Sequence, residues 1–140
     1  MLASGVKSPA FGVEQLKGGP VVLAFFKVSC PVCQLAFPFL DRIAKGMRFC
    51  GVSQDDAEAT AEFNEALAIQ NIETLLDPPP YDASRAFDIS IVPSLFVIEP
   101  DGTVSKTIEG FSKTDFEDLG RRARVQVFAG SDQVPNYRPG

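Results

Sequence analysis

Two cysteines, Cys30 and Cys33, are separated by two residues and follow directly on the apolar run at 21–26. Such a pair can change between dithiol and disulfide with little movement of the backbone. If a helix begins at the first cysteine, its unpaired backbone N–H groups and its dipole favour the thiolate there. The thiolate is the species that attacks a disulfide. The spacing therefore predicts thiol-disulfide redox chemistry.

The two cysteines are expected to have different roles. Cys30, at the start of the helix, is the candidate nucleophile that forms a mixed disulfide with a substrate. Cys33, one turn further in, then attacks Cys30 and releases the product. Pro31 offers no backbone N–H to the sulfur, and Val32 adds apolar bulk beside it. Lys27 either supports the thiolate or is an ordinary solvated lysine. The competing interpretation is a pair of inert thiols, or half of a metal site.

Composition excludes several other classes of site. The chain of 140 residues contains three cysteines and no histidine, so histidine-based catalysis and a four-ligand zinc site are not expected. We expect neither metal nor cofactor. The net charge of -5 disfavours nucleic acid as a partner.

No apolar run reaches the roughly 18 residues that a membrane span requires. We expect a monomer that is cytoplasmic as the sequence is written, or periplasmic if a leader or anchor has been removed.

The cysteine pair lies within an alternating series of strands and helices. The run at 21–26 predicts a strand buried on both faces, and apolar residues at helical spacing predict a helix over 31–45. A turn at 100–102 predicts a hairpin. Further strands are predicted at 48–53, 71–76, 95–98 and 103–108, and further helices at 54–69, 81–87 and 112–127. The order indicates a single α/β domain with a mixed sheet.

This order of motifs resembles the thioredoxin superfamily, in particular the TlpA-like thiol-disulfide oxidoreductases and redoxins. The matching segments are Pro9-Ala10-Phe11, the run at 19–26, Cys30-Pro31-Val32-Cys33, Pro38, the stretch at 92–98 that opens with Val92-Pro93, and Pro100-Asp101-Gly102. The resemblance implies a central mixed β-sheet flanked by helices. It also implies a cis bond before Pro93, facing the cysteines. We assign 1–8 to a flexible N-terminal segment, 9–128 to the thioredoxin-like domain and 129–140 to a loose tail.

Three positions depart from the pattern of the family that this chain resembles. Ser29 stands where a tryptophan usually precedes the first cysteine. Ala24 and Ala36 occupy the two positions where members of the family carry a buried Asp or Glu. That carboxylate helps to take the proton from the second cysteine, so another group or water must do so here. Cys50, in the second predicted strand, is interpreted as a small buried hydrophobe.

The resemblance and the cysteine pair together predict an enzyme that exchanges disulfides with protein thiols and with a reducing or oxidising partner. The alternatives are a thiol-dependent peroxidase of the peroxiredoxin type and a non-catalytic thioredoxin-like binding module. Peroxiredoxins carry Thr or Ser three residues before the reactive cysteine and Pro four residues before that. Counting back from Cys30 gives Lys27 and Leu23, and counting back from Cys33 gives Cys30 and Phe26. Neither cysteine fits that pattern.

Overall fold

The computed structural model describes residues 19–140, so the predicted segments at 1–8 and 9–11 lie outside the described residues. Within this range the chain alternates strands and helices in the predicted order. The strands are β1 (Val21–Phe26), β2 (Arg48–Ser53), β3 (Glu73–Leu76), β4 (Ser94–Ile98), β5 (Val104–Glu109), β6 (Phe111–Ser112) and β7 (Tyr137–Arg138). The helices are α1 (Pro31–Ile43), α2 (Ala57–Ala66), α3 (Asp82–Ala86) and α4 (Lys113–Ala123).

Five strands form one mixed sheet in the order β3-β2-β1-β4-β5. Strand β1 is at its centre, parallel to β2 and antiparallel to β4. Parallel strands need a crossover, and α1 supplies it between β1 and β2. The carboxyl end of β1 therefore leads directly into the cysteine motif.

Strand β1 is buried on both faces, as its continuous apolar sequence predicts. Val22, Ala24 and Phe26 contribute to the core beneath α1 and α4. The alternate residues of β1 contribute to the second core, which contains Phe87 and Phe96. The sheet thus separates two apolar layers, because successive side chains of a strand point to opposite faces.

Two helices, α2 and α4, end three and four residues earlier than their patterns predict. Helix α2 ends at Ala66, and Ala68 then adopts a left-handed conformation with φ of 55°. The backbone N–H groups of Gln70 and Asn71 donate to the buried carboxylate of Asp41. Helix α4 ends at Ala123 because Arg124 is also left-handed, with φ of 59°. Neither residue is glycine, which most often occupies the left-handed position after a helix, so the sequence does not indicate where these two helices end.

Gly46 allows the segment after α1 to pack closely against the end of α4. Sequence reasoning suggests Gly46 as the left-handed residue that ends α1, but its φ is not positive and the C-cap is Ala44. A Cβ at position 46 would overlap the backbone carbonyl of Ala123. The absent side chain therefore allows α1 and the end of α4 to approach each other.

Part of the C-terminal segment is ordered against the domain, where the sequence predicts a loose tail. Strand β7 pairs antiparallel with β6, and the Lys113 N–H donates to the Asn136 carbonyl at 2.9 Å. Gly110, with φ of 75°, leaves room for the Arg138 carbonyl. Polar residues and prolines indicate a loop, but backbone pairing of this kind does not depend on side-chain pattern. Among the helices of residues 19–140, none is long and apolar enough to cross a membrane.

Candidate active site

Cys30 caps the N-terminus of α1, as the spacing predicts. Its sulfur accepts a hydrogen bond from the Cys33 backbone N–H at 3.2 Å. Its thiol donates to the Val92 carbonyl at 3.4 Å. The side chain is partly exposed, so a substrate can approach the sulfur. The first turn of α1 thus presents backbone N–H dipoles to the sulfur that would become the thiolate.

Cys33 lies beneath Cys30 and is fully buried. Burial raises the pKa of the Cys33 thiol well above its ordinary value, and a side-chain hydrogen bond with Cys30 raises this pKa further. A backbone hydrogen bond with Lys27 acts in the opposite direction. All three cysteines are free thiols in this structure. Cys33 is therefore hard to deprotonate where it lies, and Cys30 is the sulfur of the pair that a substrate can reach.

The loop before β4 faces the cysteine pair from the other side. The Val92–Pro93 peptide bond is cis, as the resemblance implies. Pro93 is buried and Val92 is half-buried. The Pro93 carbonyl accepts from the Gly110 N–H at 2.8 Å, which fastens this loop to the segment after β5. The predicted residues Val92 and Pro93 thus lie beside Cys30, although 62 positions separate Val92 from it in the chain.

The remaining predicted site residues differ in how far they are exposed. Pro31 is exposed at the first position of α1, and Val32 is half-buried beside it. Lys27 is exposed, and its carbonyl accepts from the Cys30 N–H at 3.2 Å. The backbone of Lys27 therefore helps to shape the loop that carries Cys30.

The two positions at which the resemblance implies a buried acid are apolar here. Ala24 and Ala36 are fully buried in the same core cluster as Cys33. The carboxylate whose charge acts on the Cys33 thiol is that of Asp55, and it raises the pKa of Cys33. Asp55 Oδ2 accepts a hydrogen bond from the Val28 N–H at 2.8 Å. Asp55 thus joins the loop after β2 to the loop that leads into the cysteine motif.

Sequence reasoning missed Asp55 because three polar residues in a row, 54–56, all resemble a helix start. The helix cap is Asp56, whose side chain accepts from the Ala59 N–H at 2.8 Å. Asp55 is left free to reach across to Val28. The Gln34 side chain donates to the Val28 carbonyl at 2.9 Å, so both backbone groups of Val28 are fixed by side chains.

Cys50 does not take part in this site. It is 1% exposed and belongs to the core on the opposite face of the sheet from Cys33. Burial raises the pKa of Cys50 to about 12. Its interpretation as a small buried hydrophobe is confirmed. Within residues 19–140, no three cysteine or acidic side chains are grouped so that they could hold a metal ion.

A mixed sheet with a cysteine pair at the start of its first helix, facing a cis-proline loop, defines a thioredoxin-like fold of the thiol-disulfide oxidoreductase type. The predicted fold class and the predicted resemblance are confirmed. Residues 6–107 match the model of the AhpC/TSA family, and the chain belongs to that family. No curated protein matches the chain.

Solved structures with the same fold include several thiol-disulfide proteins. DsbF from MTB is 27% identical with a TM-score of 0.68, over 79% of this chain and 83% of that one. A thioredoxin-family thiol:disulfide interchange protein from Chlorobium tepidum TLS is 25% identical with a TM-score of 0.65, over 88% and 99%. A putative thiol:disulfide interchange protein DsbE from Chlorobium tepidum is 22% identical with a TM-score of 0.72, over 87% and 96%.

Proposed function

We propose that this protein is a thiol-disulfide oxidoreductase that acts on protein disulfides through Cys30 and Cys33. The observation that carries the proposal is the asymmetry of the pair. Cys30 is accessible and accepts the Cys33 N–H, whereas Cys33 is buried directly behind it. Similar structures described as thiol:disulfide interchange proteins support the same assignment.

The proposed reaction has two exchange steps. The Cys30 thiolate attacks one sulfur of a substrate disulfide, and the other substrate sulfur leaves as a thiolate that takes up a proton. Cys33 then loses its proton and attacks the Cys30 sulfur, which releases the second substrate thiol. The substrate gains two electrons and two protons, and the Cys30–Cys33 pair becomes a disulfide. Every step is reversible, so the same atoms can also oxidise a dithiol.

The second step requires removal of a proton from a buried thiol with a raised pKa. With alanine at positions 24 and 36, the carboxylate whose charge acts on Cys33 belongs to Asp55. We infer that Asp55 is a positioning residue for this step. It fixes the Val28 N–H in the loop beside the pair, and its charge adds to the rise in the pKa of Cys33 that burial mainly causes.

Trapping of the mixed disulfide tests the proposal. The Cys33→Ser variant lacks the resolving thiol, so incubation with insulin should accumulate a covalent adduct that dithiothreitol releases. The Cys30→Ser variant should form no adduct, and Cys50→Ser, as the matched control, should reduce insulin at the wild-type rate. Absence of an adduct, together with a wild type that is inert towards disulfides, would refute the proposal. Thiol-dependent consumption of hydrogen peroxide by that inert protein would favour a peroxidase instead.

A further inference from the structure

A cavity of about 290 Å³ lies beside the loop that contacts Cys30. Its wall includes Val92, whose carbonyl accepts the hydrogen bond from the Cys30 thiol. Residues of α3, together with residues just before and just after this helix, also line the cavity. The polar and charged side chains of the lining are those of Lys27, Gln54, Tyr81, Ser84, Arg85 and Ser90. A substrate whose sulfur bonds to Cys30 would therefore place its neighbouring groups beside this cavity.

The lining of the cavity is positively charged, although the chain as a whole carries a net charge of -5. Lys27 and Arg85 both line it, and no carboxylate side chain of residues 19–140 does. Both cations are exposed. Neither forms an ion pair with any residue of the range 19–140. A negative group that entered the cavity would thus meet two cations with no competing acid in the wall.

The wall that carries Arg85 is held in place by a buried hydrogen-bond network. Asp77 is 4% exposed and accepts from the N–H groups of Ala83 and Ser84 and from the Ser84 hydroxyl, the last at 2.6 Å. The Gln54 side chain donates to the Ser84 hydroxyl oxygen at 2.8 Å. The negative charge of Asp77 lies behind the wall and is satisfied by three donors. The network therefore fixes α3, and with it the backbone at Arg85, in the wall of the cavity that Lys27 also lines.

We propose that this cavity binds a carboxylate of the substrate close to its reacting sulfur, so that the enzyme prefers disulfides flanked by acidic peptide residues. The inference rests on the proposed function, since it concerns the substrate of that same site. Lys27 and Arg85 supply the charge, and Gln54 and Tyr81 offer further polar groups. Lys27, for which the sequence leaves open support of the thiolate or ordinary solvation, thereby acquires a role in specificity.

Peptide disulfides that differ in one residue test the proposal. Three six-residue peptides with Glu, Gln or Lys beside the cysteine, each a symmetrical disulfide, are mixed with the reduced protein. The rate of exchange is read by acid quenching and mass spectrometry, because the chain contains no tryptophan to report it. Each exposed ion pair between the peptide and the cavity should change the exchange rate by only a small factor. The Glu peptide should therefore react about three- to ten-fold faster than the Gln peptide. The Lys peptide should be slower than both, and the differences should shrink in high salt.

Charge variants show whether the preference comes from the cavity. Lys27→Gln and Arg85→Gln should each reduce the Glu-to-Gln rate ratio, and the double variant should bring it close to one. Lys45→Gln is the matched control, since Lys45 is exposed beyond the end of α1, does not line the cavity and changes the net charge equally. It should keep the wild-type ratio.

Two results would overturn the inference while leaving the proposed function intact. One is equal reactivity of the Glu and Gln peptides with the wild-type protein. The other is a ratio that falls as much in Lys45→Gln as in the cavity variants, which would assign the preference to net charge alone. If none of the three peptides exchanges with the protein, the proposed function fails as well.

Discussion

Alkylation of the reduced protein should modify one thiol far faster than the other two. Cys30 is partly exposed, whereas Cys33 and Cys50 are at most 1% exposed. Burial raises the pKa of Cys50 to about 12, against about 8.5 for an unperturbed thiol, which lowers its thiolate fraction at neutral pH by more than about 1000-fold. The pKa of Cys33 is raised by the same cause. Since the thiolate is the reactive form, Cys33 and Cys50 should be alkylated about 1000-fold or more slowly than an ordinary exposed thiol. Their burial also restricts access of the reagent and slows the reaction further.

Iodoacetamide at pH 7.5, followed by intact mass, measures this asymmetry. The wild type should gain one adduct rapidly and the next two only on the timescale of unfolding. The Cys30→Ser variant should lose the rapid phase. In 6 M guanidinium the wild type should gain all three adducts together, which controls for reagent and reduction. Two rapid additions to the native protein, or a rapid phase that persists in Cys30→Ser, would refute the assignment of Cys30 as the accessible nucleophile.

Three further predictions follow from single residues. Asp55→Asn removes a negative charge that raises the pKa of Cys33, so in a Cys30→Ser background the alkylation of Cys33 should shift to lower pH, and an unchanged profile would exclude this role. For Cys50, the folded pKa of about 12 exceeds the unfolded value of about 8.5. Its contribution to stability is therefore complete below pH 8.5 and is lost as the pH rises towards 12. Between pH 7 and pH 10, the free energy of unfolding measured with urea should therefore fall by about 2 kcal/mol less in Cys50→Ala than in the reduced wild type. Gly46→Ala should destabilise the protein by about 1–3 kcal/mol, because the new Cβ overlaps the Ala123 carbonyl, whereas Gly130→Ala meets nothing within 4 Å and should be neutral.

Most of the frame that positions the cysteines could be predicted from local patterns. The apolar run at 21–26 identifies the central strand, because a strand buried on both faces has no polar alternation. Ser112 caps α4 by accepting from the Asp115 N–H, at the position where the sequence predicts that a helix begins. The pair Cys30 and Cys33 specifies both the start of α1 and the chemistry placed there.

Features that depend on distant contacts could not be predicted in this way. The choice of Asp55 rather than Asp56 as the residue beside the cysteine loop depends on where Val28 lies in space. The pairing of β7 with β6 uses backbone groups only, so the polar tail carries no signal for it. Lys27 and Arg85 are far apart in sequence and line one cavity because Lys27 follows β1, whereas α3, which carries Arg85, precedes β4, the neighbour of β1 in the sheet.

The most direct test of the central claim is the redox equilibrium of the purified protein against a series of glutathione buffers, read by thiol trapping and peptide mass. We expect one reversible two-electron transition that joins Cys30 to Cys33 and leaves Cys50 as a free thiol throughout. A dithiol that never oxidises, or a disulfide that includes Cys50, would contradict it.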